Sequence, residues 1–159
     1  MNEQVDKVKE DVFRKFSLPK KPKTFGEEYE FPEDVSNLTS EKLGNWMFKI
    51  AAWKGYALKK LAAYELELSI NEDDYQANMA MSMNAVLTEK KLVKEQLTGK
   101  VLTSNPEMLS KNQKLSILKS TVVSLKRLVE MYTMQLDIIS RDISRRSIDV
   151  KLFQKGISD

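Results

Sequence analysis

From Leu115 to Ile143 apolar residues recur at intervals of three and four without a fault: Leu115, Leu118, Val122, Leu125, Val129, Tyr132, Leu136, Ile139 and Ile143. On a β-strand such a series would scatter over both faces, because strand side chains alternate. On an α-helix it forms one stripe, and a strict seven-residue repeat imposes left-handed coiled-coil packing against a neighbour. The chain is therefore expected to be all-α and built from long helices lying side by side. Met108 precedes the series, and Val150 and Phe153 continue it, but the seat between holds Arg146, with Arg141 and Arg145 alongside. Ile117, Leu128, Met131 and Ile138 add apolar area off the stripe. One antiparallel neighbour does not cover that much, so the nine residues are read as an oligomerisation seam and the chain as a homo-oligomeric helical bundle. The mixture of Leu, Val, Ile and Tyr in the seam sets no oligomer number.

The partner helix lies upstream. Thr39 suits an N-cap, with Leu38 before it and Leu43 after it forming a hydrophobic staple, and no proline follows until Pro106. Leu43, Trp46, Met47, Ile50, Trp53, Ala57, Leu61, Tyr64 and Leu68 give one face, extended by Tyr75, Met79, Val86, Val93 and Leu97. Asn71 to Asp74, in SINEDDYQ, are poor helix formers and mark the weak point. Gly99 suits a C-terminal cap, and Asn105-Pro106 an N-cap with proline at the first helical position. A turn at residues 98–105 is thus expected to join two long helices, making residues 39–159 one hairpin domain. Methionines 79, 81, 83 and 108 are read as filling gaps or lining an interface.

Residues 1–38 read differently. Val5, Val8, Val12 and Phe16 predict a short amphipathic helix over residues 3–16. Pro19, Pro22, Gly26 and Pro32 then prevent helix, since each proline lacks an N–H and disfavours helix in the residue before it. An extended, mobile arm is expected there, its PKKPK half basic and its EEYEFPED half acidic, serving as a linker or a docking segment.

Composition narrows the function. Without Cys there are no disulfides or thiolate metal sites, and without His the usual general base and commonest transition-metal ligand are gone. No phosphate-binding or metalloprotease motif occurs. The chain is expected to be non-enzymatic, with no metal and no cofactor. Its polar N-terminus is not a signal peptide, and no apolar run approaches the roughly 18 residues of a membrane span, so a soluble, cytoplasmic protein is expected. The net charge of +3 is unevenly placed. Residues 98–159 carry eleven basic and six acidic groups, whereas residues 1–41 carry seven and ten. That field suits a polyanionic partner.

A hairpin centred near residue 102 would set Arg145 opposite Lys59, Arg146 opposite Tyr56 to Lys59, and Arg141 opposite Ala63. Two basic clusters would meet at one level, with Trp53, Tyr56 and Tyr64 among them. Lys54, Lys59, Lys60, Arg141, Arg145, Arg146 and Tyr56 are accordingly the candidate nucleic-acid-binding residues. Cations neutralise phosphates while rings and guanidinium planes stack on bases, which suits single strands. The alternative reading makes these ordinary solvated charges, with Arg145 paired to Asp142 or Asp149 on its own helix.

With those residues in view, the layout resembles phage recombination mediators of the UvsY type. ALKKLAAYE, residues 57–65, is similar to that family's tyrosine-rich basic patch, which binds single-stranded DNA. VLTSNPEMLSKNQKL resembles the approach to its last helix, and IISRDISRRSIDVKLFQKG, residues 138–156, resembles its end, with Phe153 and Gly156 closing it. The likeness spans residues 40–156 in order and proportion. Two departures stand out: Leu61 occupies the place of the family's arginine, which would pass that role to Lys60, and the Pro-rich arm has no counterpart. The resemblance implies an oligomeric, single-stranded-DNA-binding mediator that helps a RecA-like recombinase displace a single-strand-binding protein, in the cytoplasm of a bacterial host. The competing reading is a coiled-coil interaction module, a scaffold or a phage inhibitor of a host protein, without nucleic-acid binding.

Overall fold

The computed structural model describes residues 7, 10, 19–22, 31–86 and 94–156. Three helices follow in order: α1, Ser40–Val86; α2, Lys94–Ser104; and α3, Pro106–Gly156. Among the described residues all regular structure is helical, as the seam demanded. The short helix expected over residues 3–16 lies outside the described residues, apart from Lys7 and Glu10, which are helical and exposed. No described helix is long and apolar enough to cross a membrane. The chain divides into two compact units, one comprising residues 1–16 and 61–124 and the other residues 17–60 and 125–159.

In the unit of residues 17–60 and 125–159, the start of α1 packs on the end of α3. Leu43, Ile50 and Ala57, seven apart on α1, are buried with Tyr132 and Ile139, seven apart on α3. Each fully buried Leu or Ile contributes about 1.5–3 kcal/mol relative to exposure, so these few seats dominate the local stability. Leu128, Val129, Leu136 and Ile143 flank them from α3, and Trp46, Met47 and Trp53 from α1. Over this stretch the seam of α3 is therefore covered by α1 of the same chain. The helix begins as its cap signal indicates: the Lys42 N–H donates to Thr39 Oγ1 at 3.3 Å, and the Leu43 N–H to the Thr39 carbonyl at 2.9 Å. Leu38 joins Leu43 in the core, completing the staple.

The arm before α1 was expected to be mobile, but its last residues are built into this core. Phe31, Val35 and Leu38 pack on the cluster, with the Phe31 and Trp46 rings edge to face at 6.4 Å. Asp34 shapes the turn by accepting from the Ser36 N–H at 2.9 Å, the Ser36 hydroxyl at 2.6 Å and Asn37 Nδ2 at 2.7 Å. Arg146 then closes it from the far end of α3. Its Nη1 donates to the Leu38 carbonyl at 2.6 Å, and its Nη2 to the carbonyls of Ser36 at 2.9 Å and Val35 at 3.3 Å. Its Nε faces Asp142 Oδ2 at 2.7 Å, and that carboxylate is buried, at 8% exposure. Arg146 thus lies beside residues 35–38, not beside Tyr56 to Lys59 as a turn near residue 102 would require.

The other unit, residues 61–124, departs from the expected turn as well. Asp74 pairs with Lys111 at 3.1 Å and Glu72 with Lys119 at 2.8 Å, so α1 and α3 run antiparallel here, closer in sequence than expected. Residues 98–104, expected to turn, belong to α2, and Gly99 lies inside that helix without a positive φ. Only Asn105 interrupts it. The Asn105 N–H still donates to the Val101 carbonyl, and the Leu109 N–H to the Asn105 carbonyl, so α2 leads into α3 in the same sense. The signal at Asn105-Pro106 was read correctly as a helix start: Asn105 Oδ1 accepts from the N–H groups of Glu107 at 3.1 Å and Met108 at 3.3 Å. It marks a restart of the helix and not a reversal, because proline at the first helical position lacks a donor that has no partner there anyway.

This unit has its own core of Met79, Val101 and Met108, with Tyr75, Met83 and Leu102 around it. Leu115, Leu118 and Val122 of the seam are buried as well. Of the four methionines, only Met81 faces solvent, at 71% exposure. The stretch SINEDDYQ does not break α1. Asn71 is buried with its Nδ2 donating to the Glu67 carbonyl at 2.6 Å, and Asn78 Nδ2 reaches the Asp74 carbonyl at 2.6 Å. Side chains that compete with the helix in isolation are here turned onto it, and Glu72 and Asp74 meet lysines of α3.

Two neighbouring arginines should therefore behave differently. Arg146→Ala leaves three carbonyls without their donor and takes one of two arginines from the buried Asp142 carboxylate, and is expected to lower the unfolding free energy by about 2–3 kcal/mol in urea titration. Arg145→Ala removes one contact made by a mostly exposed guanidinium, with Arg146 still on the Asp142 carboxylate, and should change it by less than about 1 kcal/mol. Equal effects would refute the anchoring role of Arg146. The Asp34 turn should also show in its titration. The Ser36 hydroxyl and N–H, with a smaller contribution from the Arg145 charge, hold the Asp34 carboxyl below its ordinary 3.8. A depressed value stabilises the turn above the unfolded value and is lost as pH falls through the folded one. NMR titration of Asp34 should thus find a midpoint below 3.8, with the Ser36 amide losing protection only at that point; a midpoint at or above it would contradict the turn.

Candidate nucleic-acid interface

Between Lys42 and Glu65 the chain carries no acidic residue and four further lysines, Lys49, Lys54, Lys59 and Lys60. All lie on the first half of α1. The core claims Leu43, Ile50 and Ala57 from this segment, and 3.6 residues per turn decide what stands beside them. Trp46, Lys49, Trp53, Tyr56 and Lys60 follow one another at intervals of three and four, forming a second stripe along the flank of the packed face.

The side chains of that stripe interact in sequence. Lys49 Nζ sits 5.4 Å from the centre of the Trp46 ring. The Trp53 and Tyr56 rings meet edge to face, 6.0 Å between centres and 84° between planes. Lys60 Nζ lies 5.9 Å from the centre of the Tyr56 ring. A cation within about 6 Å of a ring centre is drawn to its π-face, weakly where water competes. Trp46 and Trp53 are anchored by the core, whereas Lys49 and Lys60 are exposed and Tyr56 half-exposed. The result is a row of part-buried rings edged by exposed lysines, on a stretch of helix that carries no carboxylate between Lys42 and Glu65.

The candidate residues on the two helices fare differently. Lys54, Tyr56, Lys59 and Lys60 share a little under two turns of α1, with Lys54 and Lys59 half-buried. Arg141 is exposed on α3. Arg145 is mostly exposed, at 64%, and its Nη2 contacts Asp142 Oδ1 at 2.7 Å. Arg146 is occupied by Asp142 and the carbonyls of residues 35–38. The expected meeting of Lys59 and Lys60 with Arg145 and Arg146 does not take place, because the antiparallel register places Arg146 at the start of α1. What remains is a surface carried by α1. Trp46 and Lys49 were not among the candidates. Their spacing was the available signal, but a tryptophan on an apolar face reads first as core, and Trp46 is partly that.

A second feature of the same unit is apolar. Phe48 stands 80% exposed, beside an open groove of about 580 Å³ lined by Gly44, Met47, Phe48, Ala51, Leu136, Asp137 and Ser140. Among the described residues, no group of three or more carboxylates is placed to hold a metal ion. Comparison of this chain with protein-family models, with curated proteins and with solved structures finds no match.

Proposed function

We propose that this chain binds single-stranded nucleic acid along the first half of α1, without catalysing a reaction. The observation that carries the reading is the ring-and-lysine stripe from Trp46 to Lys60, on a stretch with no acidic residue between Lys42 and Glu65. Lysines along a helix neutralise phosphates and release counterions, and a half-exposed ring offers a π-face to any base. Single strands fit better than duplex, because only unpaired bases can splay onto Tyr56. DNA as the preferred strand, self-association, and a role in loading a RecA-like recombinase against a single-strand-binding protein come from the resemblance to phage recombination mediators. The α1 stripe supports only the first step of that role, the engagement of the strand.

A second reading is favoured by Phe48 and its groove. A large ring exposed beside an apolar trough suits contact with another protein or another copy of the chain, which is what an interaction module would use.

The two readings separate in one titration. A labelled oligothymidylate should bind the full-length protein with an affinity that falls linearly in log–log form as salt rises. Changing Lys49, Lys54, Lys59 and Lys60 together to Ala should weaken binding at least tenfold and reduce the salt slope by roughly 0.7 for each phosphate no longer neutralised, with helicity unchanged by circular dichroism. Unchanged affinity would refute the nucleic-acid reading. Loss of self-association on Phe48→Ser, in a protein that does not shift the oligonucleotide, would establish the second.

A further inference from the structure

Two points of the α1 stripe repeat one arrangement. Lys49 Nζ stands over the Trp46 ring, 5.4 Å from its centre, and Lys60 Nζ over the Tyr56 ring, 5.9 Å from its centre. In each pair the lysine follows its ring by about one turn, so its stem reaches back onto the ring of the turn before. Both lysines are exposed, although both rings are part-buried. An exposed ammonium over a part-buried ring marks the ring face that borders solvent. Lys49 and Lys60 are eleven residues apart. Three helical turns return them to one line along α1, with about 16 Å between them.

A cation over a ring at an exposed site is held weakly, because water competes for it. A base stacks on the same face more strongly, and a phosphate attracts the ammonium that the base displaces. We propose that each ring–lysine pair is one nucleotide subsite, in which a base replaces the ammonium on the ring and the ammonium moves to the adjoining phosphate. One strand then bridges the Trp46–Lys49 and Tyr56–Lys60 subsites. This rests on the nucleic-acid reading and gives its ligand a length. At about 3.4 Å per stacked nucleotide the lysine spacing corresponds to about five nucleotides, and to fewer in an extended strand. A dinucleotide reaches one subsite at a time. An octanucleotide engages both, and its second contact, being intramolecular, is favoured by effective concentration. Ring faces accept any base, so the grip is indifferent to sequence.

The experiment uses the full-length chain with a 5′-phosphorylated thymidine dinucleotide and octanucleotide, both labelled, at one low salt concentration. The octanucleotide should bind at least about tenfold more tightly. Lys49→Ala and Lys60→Ala should each cost the octanucleotide about tenfold while changing the dinucleotide by no more than about twofold, since one subsite survives. Both lysines are exposed, so their loss leaves the core in place, and circular dichroism checks that helicity is kept. Tyr56→Phe should bind as wild type and Tyr56→Ala as Lys60→Ala, because the ring is what the base needs. Lys114→Ala, which removes an exposed lysine of the other unit, should bind as wild type. Trp53→Phe leaves Trp46 as the one tryptophan of the chain, and its fluorescence should be quenched by the octanucleotide. If the octanucleotide binds but either single-lysine variant keeps wild-type affinity, or Trp46 fluorescence is unchanged, the paired subsites are overturned and the α1 reading stands. A dinucleotide that binds as tightly as the octanucleotide overturns them too, as does a loss in Lys114→Ala equal to that in Lys49→Ala. If wild type binds neither strand, both proposals fall together.

Discussion

One guanidinium fastens the end of the unit that carries the candidate surface. Arg146 occupies a seat where the seam calls for an apolar side chain, and an unpaired charge there would be strongly destabilising. Its planar fork instead meets three carbonyls of residues 35–38 and the buried carboxylate of Asp142. Those partners exist together only if the segment before Thr39 lies against the end of α3. The interaction therefore ties the segment that leads into α1 to the end of α3. A lysine at this position, a single ammonium on a flexible stem, could not reproduce the fork.

That arrangement divides the basic residues by chemistry. The arginine with the most demanding geometry, Arg146, is used inside the fold, and Arg145 leans on the same carboxylate. Lysine, a point charge that needs no fixed geometry toward an anion, is the cation that α1 carries beside its aromatic rings. Charge counted along the sequence places the positive field in the C-terminal third, yet much of that charge is engaged within the fold. The basic run that no acidic residue interrupts lies instead on α1, between Lys42 and Glu65.

The long-range periodicity was legible in advance, since the seam from Leu115 to Ile143 is a property of the helix itself. So were the caps at Thr39 and Asn105, each settled by a few adjacent residues. What could not be read was the distance over which the chain folds back. Gly99 and Asn105-Pro106 carry turn-forming signals, but the helix ladder passes them because glycine is tolerated and the proline needs no donor. A misplaced turn shifts every cross-helix pairing, and so the meeting of Lys59 with Arg145 disappeared while each residue kept its expected helix. SINEDDYQ, a weak point that the residues alone left open, stays helical: its low intrinsic propensity is offset by amide groups turned onto the helix and by lysines arriving from α3. Trp46 and Lys49 escaped notice because a residue can serve the core and its flank at once, and apolar spacing reports only the first.

The start of α3 also has a consequence for how the chain reaches its structure. Forming the first turn is the costly step in making a helix, and growth beyond it is easier. Asn105 and Pro106 lower that cost within a span of four residues, the amide oxygen holding the N–H groups of Glu107 and Met108. The longest of the described helices thus carries its own start signal. It can begin to form before α1 is in place, offering the seam as a ready template on which Leu43, Ile50 and Ala57 then settle.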